Sequence, residues 1–372
     1  MQEDCKLFLL DAYALIYRAY FGLSKMPRVN SKGFNTSAVF GFVNTLQQVL
    51  TKEQPTHIGV AFDPAGPTFR HEAYPEYKAQ REETPETIRE SVPIIKQIIK
   101  AYNIPILEVQ GFEADDVIGT LATQARRRGI TTYMMTPDKD YGQIVGGCVY
   151  MYRPKFGDKE FDVMGEEEVK AKFAIQSTSQ VIDMLGLMGD SADNIPGCPG
   201  VGEKTAQKLI AEYGSIENIL QNTDKLKGAL KKKVEENAEK IRFSKFLATI
   251  KTDVPIDLDM DKLRRNDPDR EELRRLFEEM EFKTLIARVF ADEQKDAPQQ
   301  TKTQPNLFEI FTDTPREEQS QTNLASYDAG VQHYKLIETD EDIERFLQLF
   351  LTKDFFSLDT ETTGIEPMTA RL

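Results

Sequence analysis

Acidic residues follow four apolar, strand-like runs early in the sequence, and this arrangement constrains the fold more than any other feature. KLFLL precedes Asp11, THIGVAF precedes Asp63, IPILEV precedes the GFEADD loop, and TTYMMT precedes Asp138. Helix-like segments at 37–51, 86–102 and 114–128 separate the runs. This alternation predicts an α/β fold with a mostly parallel central sheet flanked by helices. Because ligands bind beyond the carboxyl ends of strands in such sheets, we expect the acids to share one site.

Nine acidic residues form five short clusters in this part of the chain. They are Asp11; Asp63; Glu113, Asp115 and Asp116; Asp138 and Asp140; and Asp190 and Asp193. Carboxylates in one pocket repel and raise one another's pKa, so we expect divalent cations to neutralise them. Two such ions, about 4 Å apart, can hold the attacking water and the leaving oxygen of a phosphoryl displacement. Any single acid could instead cap a helix or lie in a solvated turn, but five clusters in register favour a metal site.

The charge distribution keeps a nucleic-acid partner open despite a net charge of −14. From residue 291 onwards there are 17 acidic and 7 basic residues, which leaves 44 acidic and 40 basic residues in the first 290. If cations neutralise the nine clustered carboxylates, the remaining body carries a charge of about +5, which suits DNA binding at a local basic surface.

Cysteine usage and hydropathy exclude several other classes. Cys5, Cys148 and Cys198 lack the spacing of a disulfide framework or a zinc knuckle, and the chain has only three histidines. No apolar stretch reaches 18 residues, and the first residues do not form a secretory leader. We therefore expect a cytoplasmic protein without a membrane partner.

Four regions follow one another along the chain. We predict an α/β core at 1–165 and a helical, more polar subdomain at 166–290. Residues 291–332 are rich in Gln, Thr, Asp and Pro, which predicts a flexible linker. Residues 333–372 look like the truncated start of another α/β domain.

Basic and aromatic residues alternate in FRHEAYPEYKAQREETP, between a strand and a helix. A phosphate near an acidic metal cluster needs cations beside it, so we predict that Arg70, Lys78 and Arg81 contact DNA. Aromatic rings such as Tyr77 can stack on an unpaired base. Arg18, one or two helical turns after Asp11, has a similar predicted role. Ordinary solvated surface cations remain the alternative for Arg18 and Arg70.

A glycine-rich turn precedes a helix in IPGCPGVGEKTAQKLI. The backbone of Gly200, Val201 and Gly202 can approach a phosphate closely, and free amides at a helix start can hold it. Lys204 and Thr205 would add side-chain contacts. A nucleoside-triphosphate loop is excluded because a glutamate precedes Lys204 and no strand leads into the turn. A purely structural glycine turn stays open.

Taken together, these segments resemble a known family. LLDAYALIYRAYFGL, VAFDPAGPTFRHEAYPEYKAQR, GFEADDVIGTLA, TPDKDYGQIV and GDSADNIPGCPGVGEKTAQKLI are similar, in collinear order, to the 5′ nuclease domain of bacterial DNA polymerase I, a member of the flap endonuclease family. The resemblance covers about residues 5 to 290. It implies a PIN-like core, a helical arch at about 64–92, and a helix-hairpin-helix that grips duplex DNA, often around K⁺.

The resemblance also implies a site and an activity. Two Mg²⁺ or Mn²⁺ ions would be bound, the first lined by Asp11, Asp63, Glu113, Asp115 and Asp116, the second completed by Asp138, Asp140, Asp190 and Asp193. Lys78 and Arg81 would contact the scissile phosphate and act in catalysis with Asp115 and Asp116. The implied activity is that of a structure-specific 5′-3′ exonuclease and flap endonuclease that removes RNA primers and flaps. We expect a nucleoid-associated monomer acting on DNA with a 5′ flap, a nick or an RNA primer end.

FFSLDTETTG contains Asp359 and Glu361 after a strand-like run, a pair that resembles the first motif of a proofreading-type 3′-5′ exonuclease domain. We predict that the chain is the amino-terminal portion of a polymerase and that this second site is truncated. Two alternatives stay open for the main activity: a PIN-type ribonuclease, and a non-catalytic module that binds DNA junctions.

Overall fold

The computed structural model describes residues 5–154, 161–291 and 339–350. The chain divides into two units, Met1–Thr303 and Gln304–Leu372. Nearly all of the predicted linker lies outside the described residues, as do Asp359 and Glu361 of the predicted second site. In the second unit the structure describes one helix, Asp340–Phe350. None of the helices in the described ranges is long and apolar enough to cross a membrane.

A six-stranded sheet forms the centre of the first unit. Its strands are β1 (Lys6–Asp11), β2 (His57–Ala61), β3 (Ile106–Leu107), β4 (Thr131–Met135), β5 (Val149–Pro154) and β6 (Phe161–Met164). They lie in the order β3-β2-β1-β4-β5-β6, and only β6 runs antiparallel to its neighbour. The predicted α/β fold with a mostly parallel sheet is confirmed, although β5 and β6 were not predicted.

Both faces of the sheet are buried, which explains the uninterrupted apolar run of β1. Leu7 and Leu9 pack into the core on one face, whereas Phe8 and Leu10 pack into the core on the other. All four side chains are fully buried. Successive strand residues point to opposite faces, so a strand covered on both sides needs apolar residues at every position.

Helices cover the two faces. The face of Phe8 packs against α1 (Ala12–Gly22), α2 (Ser37–Gln48), which a π-helical turn (Val49–Glu53) extends, α4 (Glu86–Ala101), α13 (Arg270–Glu279) and α14 (Lys283–Val289). The face of Leu7 packs against α5 (Ala114–Arg127) and the helical region that follows the sheet. Helices α13 and α14 were predicted to belong to the helical subdomain, but their apolar residues complete the opposite layer of the core.

The helical region contains α6 to α12. Their bounds are α6 (Glu166–Phe173), α7 (Val181–Met188), α8 (Glu203–Tyr213), α9 (Ile216–Gln221), α10 (Gly228–Glu236), α11 (Ala238–Ala248) and α12 (Met260–Leu263). Short 3₁₀ turns lie at Lys139–Ile144, Thr178–Gln180 and Thr223–Lys225. Helices α7 and α8 are joined by a glycine-rich loop at 189–202, as the predicted helix-hairpin-helix requires.

The segment predicted as a helical arch is only partly helical. It contains α3 (Phe69–Ala73), followed by turns and irregular backbone before α4 begins at Glu86. Instead of an extended arch, residues 76–81 contact the loop that follows α7.

Candidate metal centre

The predicted acids meet at the carboxyl edge of the sheet, around a cavity of about 490 Å³. Seven of the nine line it: Asp11, Asp63, Glu113, Asp115, Asp138, Asp140 and Asp193. Asp11 ends β1 and Asp138 follows β4, the two neighbouring strands at which the strand order reverses. Such a switch point is where an open α/β sheet leaves a crevice for ligands.

Three of the acids sit at the start of α5. Ligand oxygens of Glu113, Asp115 and Asp116 lie within 4.8 Å of one another. The positive end of the helix dipole favours carboxylates at this position. Asp63, which follows β2, accepts a hydrogen bond from the amide of Ala114 at 2.7 Å and so joins the strand end to the helix start.

Asp11 is held by hydroxyl groups that the sequence analysis did not identify. Its Oδ2 accepts hydrogen bonds from Thr136 Oγ1 at 3.2 Å and from the Tyr141 hydroxyl at 3.1 Å, and Oδ1 accepts from the amide of Ala14 at 3.2 Å. Burial, and secondly the charge of Asp63, raise the pKa of Asp11 to about 7. The only signal for the two hydroxyl residues was their place beside the acidic pair in TPDKDY.

Arg70 does not lie on the surface as predicted. Its side chain is 2% exposed, and its guanidinium contacts Glu113 at 3.0 Å and Asp116 at 2.7 and 2.8 Å. A guanidinium enclosed and paired in this way cannot reach a phosphate at the protein surface. The structure therefore contradicts the predicted DNA contact of Arg70. The residue instead pairs with Glu113 and Asp116 in the interior, outside the lining of the cavity.

Tyr77 also lies in the interior, with 3% of its surface exposed. Its hydroxyl lies 3.0 Å from Glu113 Oε2 and 3.2 Å from Asp193 Oδ2. Burial and the charge of Glu113 raise the pKa of Tyr77, so the hydroxyl stays protonated as a donor. The predicted stacking of a base on Tyr77 does not agree with this position, because neither ring face is accessible.

Lys78 and Arg81 line the cavity, as predicted for residues that approach a phosphate. The Lys78 ammonium contacts Glu113 Oε1 at 2.6 Å, and the Arg81 guanidinium forms an ion pair with Asp193. Burial by itself would raise the pKa of Glu113, but Lys78 and Arg70 hold it below its ordinary value. These cations therefore favour the charged form of Glu113, whereas burial raises the pKa of Asp11, Asp115 and Asp140.

Two buried carboxylate oxygens in the acidic cluster lack hydrogen bonds from the part of the chain that the structure describes. Asp115 Oδ1 and Asp140 Oδ1 have no hydrogen-bond partner within the described residues. The pKa of Asp115 lies well above its ordinary value because of burial and then Asp116, and that of Asp140 because of burial and then Asp138. Buried carboxylate oxygens without a hydrogen-bond partner suit a hard divalent cation, although the Arg70 guanidinium lies 3.9 Å from Asp115 Oδ1.

Asp116 and Asp190 do not line the cavity. Asp116 is fully buried and accepts hydrogen bonds from Arg70 and, at 2.7 Å, from the amide of Lys251. The Asp190 carboxylate pairs with Lys139 at 3.0 Å and accepts from the amide of Ala192 at 2.8 Å. Both acids are therefore placed beside the cavity, where they support residues that face it.

The glycine-rich turn presents backbone at the start of α8. Gly200 has a left-handed φ of +76°, which would strain any other residue, whereas the one close neighbour of an added Cβ is the flexible end of Lys233, at 2.4 Å. Gly202 is the N-cap of α8 and has no side chain to cap the helix, which leaves the first amides available to a ligand. Lys204 is exposed in the first helical turn with Thr205 beside it, whereas the Val201 side chain is buried, so only its backbone can contact DNA.

Arg18 lies next to the carboxylate cavity. It is half-buried on α1 and lines a neighbouring cleft together with Phe21, Arg153 and Asp162. Tyr17 lines both spaces.

Two family models match the chain. The first, described as the 5′-3′ exonuclease N-terminal resolvase-like domain, matches residues 6–174. The second, described as the 5′-3′ exonuclease C-terminal SAM fold, matches residues 176–271.

Curated proteins similar in sequence to this chain are bacterial DNA polymerases I. DNA polymerase I of Bacillus caldotenax is 38% identical over 308 residues, which are 82% of this chain and 34% of that protein. DNA polymerase I of Bacillus subtilis (strain 168) is 41% identical over 293 residues, 78% of this chain and 33% of that protein. The chain thus spans about a third of the length of these relatives.

Solved structures support the fold. The 5′-exonuclease of T5 with bound zinc has a TM-score of 0.57 at 20% identity and covers 74% of this chain and 98% of its own. The catalytic core of Rad2 in complex with DNA substrate has a TM-score of 0.52 at 17% identity and covers 77% of this chain and 92% of its own. With both models matching in chain order, as the motifs predicted, this chain belongs to the 5′-3′ exonuclease family and is a phosphodiester-hydrolysing nuclease.

Proposed function

We propose that this chain is a metal-dependent, structure-specific nuclease that cleaves a phosphodiester near the junction of single- and double-stranded DNA. The observation that carries the proposal is the cavity lined by seven carboxylates, two of which have buried oxygens without a hydrogen-bond partner in the described parts of the chain. A phosphodiester is an anion and would be repelled by such a cavity unless cations neutralise it.

The ligand set suits two Mg²⁺ or Mn²⁺ ions, because these hard cations prefer carboxylate oxygens and water. Asp11, Asp63, Glu113 and Asp115 would hold the first ion, and Asp138, Asp140 and Asp193 the second. Asp116 and Asp190, which lie beside the cavity, would act through water or through their neighbours. When bound, a pair of divalent ions supplies activation of the attacking water and stabilisation of the leaving oxygen.

The residues around the cavity have separable roles in this proposal. Thr136 and Tyr141 fix the orientation of Asp11. Lys78 and Arg81 bind the scissile phosphate once their carboxylate partners hold cations instead, and their positive charge stabilises charge that develops in the transition state. Asp115 and Asp116, in the first turn of α5, complete the catalytic group.

Duplex DNA would bind at the loop between α7 and α8. The backbone of Gly200, Val201 and Gly202 and the side chains of Lys204 and Thr205 would contact phosphates of one strand without reading bases. A K⁺ ion could bind in the same loop. Arg18, at the edge of the carboxylate cavity, would contact the strand that enters it.

We further propose that the chain is the amino-terminal part of a DNA polymerase I. The curated relatives carry that name, and the chain matches about a third of their length. Its substrates would be 5′ flaps, nicks and RNA primer ends met in replication and repair. The protein would act as a monomer in the cytoplasm, at the nucleoid.

The experiment that tests this function compares a labelled 5′-flap DNA with unpaired RNA of the same length. We expect cleavage of the flap near its junction and no cleavage in excess chelator. Preferred cleavage of the RNA would favour the PIN-type ribonuclease. Binding of the flap without cleavage at any Mg²⁺ concentration would favour the non-catalytic module.

A further inference from the structure

A tight turn at residues 76–80 presents Lys78 to the cavity. Lys78 lies at the centre of this turn and has a left-handed φ of +58°, which residues other than glycine rarely adopt. Such a conformation persists only where surrounding contacts hold it. The contacts that hold this turn therefore decide where the Lys78 ammonium lies.

The side chain of Asn194 contacts the turn on both sides of Lys78. Asn194 Nδ2 donates a hydrogen bond to the carbonyl of Glu76 at 2.7 Å, and Asn194 Oδ1 accepts one from Gln80 Nε2 at 3.0 Å. These partners lie two residues before and two residues after Lys78. Rotating the amide by 180° would place two acceptors against each other at Glu76, so both contacts require this orientation.

The loop that carries Asn194 is itself closed. Asp190 and Ile195 exchange two backbone hydrogen bonds, of 2.9 and 2.8 Å, across residues 191–194. The neighbouring residue Asp193 accepts a hydrogen bond from the Lys78 amide at 3.0 Å through its backbone carbonyl. The turn that presents Lys78 thus rests on the loop that supplies Asp193 to the cavity.

We propose that Asn194 is a positioning residue for the cleavage reaction. Its amide ties the 76–80 turn to the loop of Asp193 and thereby fixes Lys78 and Arg81 relative to the carboxylates. Loss of the amide lets Lys78 relax from its left-handed conformation, and its ammonium then leaves the position from which it reaches a phosphate. Displacement of a positioned charge by about 1 Å is enough to slow a reaction strongly. This inference rests on the proposed nuclease function.

Asn194→Gly is the informative variant, because Asn194 has a left-handed φ of +56° that glycine adopts without strain. The substitution removes the side chain, and with it both amide contacts, while the backbone can keep its conformation. Gln80→Ala removes one of the two contacts at an exposed position, where it leaves folding intact. Asn103→Gly is a matched control: Asn103 has a φ of +54°, and its amide donates to the carbonyl of Asp267 at 2.5 Å.

The first measurement is amide hydrogen exchange without metal or DNA. We expect exchange at Lys78 and Arg81 to be about tenfold faster in Asn194→Gly and to rise less in Gln80→Ala, while Asn103→Gly leaves both amides unchanged. Unchanged exchange at Lys78 and Arg81 in Asn194→Gly would overturn the proposal. So would an equal increase throughout α5, since the amide would then support the whole fold and not the turn.

The second measurement is single-turnover cleavage of a 5′-flap DNA. We expect Asn194→Gly to be about tenfold slower at saturating enzyme, with its Kd for nicked duplex in Ca²⁺ within about twofold of the unsubstituted chain. Because both contacts belong to one unit, the double variant with Gln80→Ala should be no slower than Asn194→Gly. An equal loss of binding and cleavage would reject a positioning role. If the unsubstituted chain cleaves no substrate, the proposed function fails, while the exchange data still decide whether Asn194 holds the turn.

Discussion

Arg70 and Asp116 form a two-pronged ion pair in the protein interior, with nitrogen–oxygen distances of 2.7 and 2.8 Å and at most 1% of either residue exposed. The same guanidinium donates to the carbonyls of Leu247 and Thr249, at 2.9 Å each, at the end of α11. One buried cation therefore connects the start of α5, where three of the metal-site acids lie, to the C-terminal end of α11 in the helical region.

Removing this cation should destabilise the fold. We expect Arg70→Ala to lower the free energy of unfolding by about 3–5 kcal/mol, since it leaves buried carboxylates without their partner. The matched change is Arg81→Ala, whose ion pair with Asp193 has an arginine side chain 53% exposed. That change should cost at most about 1 kcal/mol. Urea denaturation of both variants checks the difference, and equal losses would show that burial of the Arg70 pair does not matter.

Lys78 should affect chemistry more than stability. We expect Lys78→Ala to lower the single-turnover cleavage rate by about 100-fold, the scale of losing one positioned charge at a transition state. Lys170→Ala, which removes a lysine paired with Glu167 on α6, is the control and should leave the rate unchanged. A rate for Lys78→Ala within error of the control would remove Lys78 from the mechanism.

The buried acids should make metal-free stability depend on pH. The pKa of Asp11 is raised from 3.8 to about 7, chiefly by burial and then by Asp63, so the folded chain retains a proton that the unfolded chain loses. Asp11 therefore contributes about 4 kcal/mol to the free energy of unfolding below about pH 4. This contribution is lost as the pH rises to about 7.

Thermal unfolding in chelator and in MgCl₂ checks this prediction. In chelator, the Tm should fall between pH 5.5 and 8, and Asp11→Asn should reduce the fall. Because cations bind the ionised carboxylates, Mg²⁺ should raise the Tm more at pH 8 than at pH 5.5. A chelated protein that gains stability over this pH range would contradict the assignment.

The glycine-rich turn should control duplex binding independently of cleavage. We expect Lys204→Ala to weaken binding of nicked duplex at all sequences and to lower the slope of log K against log salt by about 1, as loss of one phosphate contact requires. Cleavage at saturating enzyme should not change. Filter binding at several salt concentrations measures the slope, and an unaltered slope would leave the turn with a structural role only.

The sequence predicted the main strands, the mostly parallel sheet and the gathering of seven acids, because strand ends in such a sheet all point to one edge. It did not predict β5 and β6, although the alternating aromatic and apolar residues of VYMYR carried a strand signal. The predicted helical subdomain, 166–290, included α13 and α14, which instead pack on the face of the sheet that carries Phe8. The periodicity of these two helices does not show which core their apolar faces join.

Side-chain placement was harder to predict than backbone. Arg70 and Tyr77 were predicted to contact DNA because a cation can pair with a phosphate and an aromatic ring can stack on a base, and only the folded structure shows that both are buried against Glu113. The role of Asn194 could not be predicted from the sequence, because its contacts with Glu76 and Gln80 join segments more than 100 residues apart. Such long-range pairs follow from tertiary packing and not from local pattern.

The central claim is that the clustered carboxylates form a divalent-cation site that drives cleavage. Its most direct test is a Mg²⁺ titration of single-turnover cleavage on a labelled 5′-flap DNA, run for the unsubstituted chain and for Asp115→Asn, with binding of the same DNA measured in parallel. The account predicts that cleavage rises from zero with Mg²⁺ in the unsubstituted chain, is abolished in Asp115→Asn, and that duplex affinity is retained in both. Cleavage that persists in excess chelator, or an Asp115→Asn variant that cleaves normally, would contradict it.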